Sequence, residues 1–172
     1  MNHDDYTTHL SNSDSELFTL LELSNKLVRH TFPPLPGLPK FIASTSTMSS
    51  PPPEPNDMLA AEILIPKPNS SFPIPYIYIS NRNDPSPYGD SLSIFDFTSG
   101  SSLGKPELIA EVRTGLNHVR SILFGGLDDK YLVAGGVDGG GVKIFERTEG
   151  GRGLKEVAKN EFVPAPTGFL WK

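Results

Sequence analysis

A chain of 172 residues with a net charge of −5 has no basic excess with which to neutralise a phosphate backbone, which argues against a sequence-independent nucleic-acid binder. The absence of cysteine removes disulfide staples, thiolate metal sites and thiol nucleophiles, and a reducing, cytoplasmic setting is expected. No apolar run reaches the roughly eighteen residues of a membrane span, and the acidic start Met1-Asn-His-Asp-Asp5 lacks the apolar core of a signal peptide.

In chain order, residues 1–15 are polar and weakly patterned. Leu17–Leu23 and Lys26–Phe32 read as a hairpin around Ser24-Asn25. Pro33-Pro-Leu-Pro-Gly37 interrupts the ladder, because proline has no amide to donate. Phe41–Thr47 is the expected outer strand, and Ser49–Pro55 a solvated connection of polyproline II character. A second unit is predicted from Leu59–Ile65, its innermost strand, through Tyr76–Arg82, Ser91–Phe97 and Glu107–Val112. Its turn-rich loop Asn83–Asp90 is longer than a tight hairpin turn. The third unit runs through His118–Phe124, Lys130–Gly136, Val142–Arg147 and Leu154–Asn160, with Asp138-Gly-Gly-Gly141 supplying a tight turn. Thr167–Trp171 reads as the inner strand of one more unit. No stretch free of Pro and Gly keeps a helical period, and glycine (16) with proline (17) makes about a fifth of the chain, as suits strands and turns.

One phrase recurs: an apolar strand, a turn, then a strand alternating apolar and polar with period two. Its copies begin at Leu17, Ile77 and Leu132, 60 and 55 residues apart. Such a period belongs to radial β architectures, which close rings of about four to eight blades. The expectation is an all-β fold, a partial β-propeller of about three four-stranded antiparallel blades. The units fall near residues 16–48, 58–113 and 117–161, with residues 165–172 as the further inner strand. Three blades are expected to be part of a longer propeller, and their open faces to drive self-association.

Gly136 to Lys143 resembles a phosphate loop only superficially, because the lysine is displaced by one and no Ser or Thr follows it. The four histidines, His3, His9, His30 and His118, lack the i,i+2 or i,i+4 spacing of metal ligands. Neither metal nor cofactor is expected.

Matching strand ends carry different side chains: Glu22, Arg82 and Val137. In a common register these sit at one height around a channel. This pattern, with Ile77-Tyr-Ile-Ser-Asn-Arg82 and Asp128-Asp-Lys-Tyr-Leu-Val-Ala134, resembles the seven-bladed lactonase propeller family. That family includes 6-phosphogluconolactonases and fungal carboxy-cis,cis-muconate cyclases; the Pro-rich connections and Val163–Trp171 are similar to fungal members. The resemblance implies catalytic roles for Glu22, as proton carrier, and Arg82. It implies substrate binding by Arg120, in the family's Pro-Arg phrase, and by His118. The chain departs from the pattern at Val119, which replaces the proline. It departs again near Tyr6, where the arginine belonging to the blade of Glu22 is missing. The implied substrate is a small anionic lactone or sugar acid, held by guanidinium groups whose geometry matches carboxylate and phosphate. Two other readings stand beside this one. Glu22 as a solvent-facing strand end and Arg82 paired with Asp84 or Asp90 describe a non-catalytic propeller fragment or binding module.

Overall fold

The computed structural model describes residues 6–10, 16–51, 57–99 and 104–172. The backbone, without side chains, is described for 6–10, and most of the expected polyproline connection lies outside the described residues. Among the described residues, twelve strands form three four-stranded antiparallel sheets, each a simple meander. The first holds β1 (Tyr6–Leu10), β2 (Glu16–Leu21), β3 (Lys26–Thr31) and β4 (Lys40–Ser46). The second holds β5 (Leu59–Leu64), β6 (Ile77–Arg82), β7 (Ser91–Asp96) and β8 (Glu107–Arg113). The third holds β9 (Asn117–Gly125), β10 (Tyr131–Gly139), β11 (Gly141–Thr148) and β12 (Gly153–Asn160). This is a partial propeller, in which β5 packs on β1 and β2, and β9 packs on β5 and β6.

The first sheet is complete. Tyr6–Leu10, in the stretch whose sequence is too polar to signal a strand, pairs antiparallel with Leu17–Leu21. Backbone hydrogen bonding to β2 recruits it where apolar patterning does not.

Two cores lie on either side of the second sheet. Ile77, Ile79 and Phe95 face the first sheet and meet Phe18, Leu20, Leu27, Ala60 and Ile63. Tyr78, Leu92 and Ile94 face the third and meet Val119, Ile122, Leu132 and Phe145. Both faces of β6 and β7 are therefore buried, and the polar positions in their alternation do not reach solvent. Asn81, Ser91 and Ser93 are fully buried. The Asn81 amide donates to Ser93 Oγ at 3.0 Å, to Ser91 Oγ at 3.3 Å and to the Thr47 carbonyl at 3.3 Å, which ties the first sheet to the second. The Asn81 amide nitrogen is satisfied in this way, while its Oδ1 has no partner among the described residues; buried donors that are paired cost little, whereas unpaired polar atoms are expensive.

A shared irregularity marks all three sheets. In each outer strand one extra residue, Ile42, Ile109 or Val157, bulges out just before an alanine that re-enters the ladder, Ala43, Ala110 or Ala158. The bulge adds local twist.

The tail differs from its expectation. Thr167–Trp171 forms no strand and lies on the third sheet's outward face. Gly125 and Gly135 make that approach possible: a β-carbon at Gly125 would run into the Trp171 ring, and one at Gly135 would come within 2.7 Å of Phe169 and Pro166. A strand requires a ladder partner, and this segment meets side chains and glycine backbone instead.

Candidate active site

The turn after β2 fixes the first side chain. Asn25 takes a left-handed φ of 52°, a conformation asparagine tolerates better than most residues. Its N–H donates to the Glu22 carbonyl, and its amide donates to the Met58 carbonyl at 2.7 Å, at the entry to β5. Glu22 is thereby held over the inner strands. Arg82, at the end of β6, comes to the same place, and its Nη2 makes an ion pair with Glu22 Oε1. Their side chains are 13% (Arg82) and 25% (Glu22) exposed. Neither Asp84 nor Asp90 pairs with Arg82: Asp84 takes Arg113, and Asp90 is buried elsewhere.

The second η nitrogen of Arg82 donates to His118 Nε2 at 3.0 Å. A guanidinium can only donate, so Nε2 is the unprotonated nitrogen and the ring proton sits on Nδ1. Nδ1 lies 2.7 Å from Asn83 Oδ1, which accepts from it, and 3.4 Å from the exposed Asp138 carboxylate. His118 and Asn83 both adopt left-handed φ, 60° and 64°, and their side-chain contact spans the junction of the second and third sheets. Both ring nitrogens of His118 are thus engaged by the protein. Through Nε2 the ring orients Arg82.

Asp90 fixes where β9 begins. Its carboxylate is fully buried and accepts from Val119 N–H at 2.7 Å and from Asp84 N–H at 2.9 Å. Its backbone N–H donates to the Leu116 carbonyl at 2.8 Å. Burial pushes the carboxyl up, and the N–H donors of Asp84, Val119 and His118 draw it back. The sequence shows Asp90 only as the last residue of a turn-rich loop.

These elements enclose a cleft of about 240 Å³ lined by Leu20, Glu22, Ala60, Ala61, Glu62, Arg82 and Arg120. Glu22, Arg82 and Arg120 come from three different sheets and meet there. Arg120 is exposed and, among the described residues, its guanidinium has no hydrogen-bond or ion-pair partner. Glu62, on the inner strand β5, was not a sequence candidate. Among the described residues no cluster of His, Cys, Asp and Glu suits a metal ion, and no helix is long and apolar enough to cross a membrane.

The chain matches the family model described as lactonase, 7-bladed β-propeller, over residues 8–171. Among solved structures it resembles a protein from Lactobacillus plantarum, with 18% identity and a TM-score of 0.72 over 94% of this chain and 43% of that one. A candidate 6-phosphogluconolactonase from Bacteroides fragilis is similar at 18% identity and a TM-score of 0.72, covering 94% of this chain and 40% of that one. The periplasmic gluconolactonase of Pseudomonas aeruginosa is similar at 14% identity and a TM-score of 0.69, covering 93% and 40%. The chain therefore spans about two fifths of the length of these structures. No curated protein matches it. Three meandering four-stranded sheets packed in chain order and a family match over nearly their whole length lead to one conclusion: the chain belongs to the lactonase family of seven-bladed β-propellers.

Proposed function

We propose that this chain carries a lactonase site for a small anionic lactone or sugar acid. The observation that carries the reading is the meeting of Glu22, Arg82 and Arg120 in one cleft. Arg82, held by Glu22 on one side and His118 on the other, is a pre-oriented cation for charge that develops on a lactone carbonyl oxygen. Donors fixed before reaction are worth more than donors that must reorganise. Arg120 takes the substrate's phosphate or carboxylate, since its fork of N–H groups matches such oxygens. The reaction adds water to the carbonyl carbon and opens the ring ester, yielding a hydroxy acid.

Hydrolysis of 6-phosphogluconolactone and ring opening of a muconolactone by the 172-residue chain test this. Faster hydrolysis of the phosphorylated lactone supports a 6-phosphogluconolactonase, whereas opening of the muconolactone to the unsaturated muconate, an elimination that consumes no water, supports a cyclase-like enzyme. Arg120→Ala should raise KM about tenfold or more for whichever substrate is used, with a smaller effect on kcat, as expected for a group that binds ground state and transition state alike. A chain that opens neither faster than buffer, and still binds 6-phosphogluconate, is a binding module instead.

A further inference from the structure

We infer that Glu62 is the proton-transfer group of this cleft, taking a proton from the water that attacks the lactone carbonyl and returning it to the ring oxygen. The inference rests on the lactonase reading and adds the residue that moves the proton.

Backbone geometry is the first support. The β5–β6 ladder is regular at Leu59 and Ala60, breaks, and resumes at Ile63, so Ala61 and Glu62 form a bulge on the innermost strand. Bulges re-aim side chains and are enriched beside active sites. Glu62 N–H, freed from the ladder, donates to Ser80 Oγ at 3.0 Å, and Ser80 is fully buried. A buried hydroxyl on β6 thus pins the irregularity in place.

Occupancy is the second. The Glu22 carboxylate is taken up by Arg82. The Glu62 carboxylate lines the same cleft, and no described residue gives it a hydrogen bond or an ion pair. The charged groups that share the cleft with it are Glu22 from the first sheet, Arg82 from its neighbour strand and Arg120 from the third sheet. Burial pushes the Glu62 carboxyl up from the ordinary glutamate value, the direction that makes a carboxylate a better base near neutral pH.

The step balances without a co-reactant other than water. The water oxygen bonds to the carbonyl carbon as Glu62 takes one of its protons, and the carbonyl electrons move onto oxygen. When the carbonyl re-forms, the ring C–O bond breaks, and its oxygen takes the proton from Glu62. The carboxylate is restored.

The test is the pH profile of 6-phosphogluconolactone hydrolysis by the full chain, wild type against Glu62→Gln and Glu62→Asp, corrected for hydrolysis in buffer. Glu62→Gln should lower kcat by about 100-fold and leave KM within about twofold. It should also erase the acidic limb, on which the wild-type rate rises with pH as Glu62 loses its proton. Glu62→Asp should keep that limb with a reduced kcat. A Glu62→Gln enzyme with wild-type kcat and an intact limb overturns the role of Glu62 and leaves the lactonase reading standing. A wild-type chain no faster than buffer overturns both. If Glu62→Gln fails to fold, ¹³C NMR titration of the wild-type carboxyl decides: titration at or below the ordinary glutamate range overturns the proposal, and titration above it supports it.

Discussion

The amide of Val119 is in use. That N–H donates at 2.7 Å to the buried Asp90 carboxylate, which also holds the start of the Asn83–Asp90 loop. Proline has no proton to offer there, so Val119→Pro leaves a buried carboxylate short of a donor. We expect it to lower stability by about 1–3 kcal/mol, read as a drop in the urea midpoint, and to loosen Arg120 one residue on. Val119→Ala keeps the amide and should lose only packing. At this scale the sequence was partly readable. Glu22 and Arg82 stand out because charged residues at matching strand ends are unusual in otherwise apolar copies; Arg120, near the start of β9, is singled out only by the family resemblance. The partner of Arg82 was not readable, since Asp84 and Asp90 are near in sequence and Glu22 is 60 residues away. Glu62 was hidden for another reason: a bulge changes the face a residue takes, and period two alone does not reveal bulges.

The strands after Leu17 follow their patterns because alternation and turn chemistry act locally. Two features of the elements do not. The outer-strand bulges before Ala43, Ala110 and Ala158 recur in all three sheets, yet the copies share only a β-branched residue followed by alanine there (Ile42, Ile109 and Val157), too small a signal to read from one chain. The tail's apolar residues suggest a strand, but its neighbours decide otherwise. Gly125 and Gly135 leave flat places on the third sheet for Trp171, Phe169 and Pro166. Gly125→Ala should therefore displace the tail. Trp171 is the single tryptophan of the chain, so its emission should shift to the red and gain accessibility to a soluble quencher, with the far-ultraviolet strand signal unchanged. Unaltered emission would show that the tail does not rest on Gly125.

Among the described residues, one sheet is covered on both faces and two chiefly on one. The third sheet's outward face keeps a largely apolar cleft of about 400 Å³ among Tyr131, Ile144, Glu146, Val157, Ala158 and Trp171. Uncovered apolar sheet faces associate, because removing them from water is favourable at roughly 25 cal/mol per Å². We propose that the isolated chain self-associates through these faces. Size-exclusion chromatography with light scattering should show dimers or larger species that dissociate on dilution, and a compact monomer at all concentrations would refute this. Local chemistry settled a good deal in advance: an all-β chain, three copies of one strand–turn–strand phrase, and the charged residues worth watching. Period-two alternation, proline and glycine act over a few residues and are visible in any window of the sequence. Tertiary structure alone decided that alternating serines face a second core, that β1 joins the first sheet, that His118 serves Arg82, and that Glu62 enters the cleft. Each depends on a surface contributed by residues far along the chain, and no local pattern encodes which surface arrives.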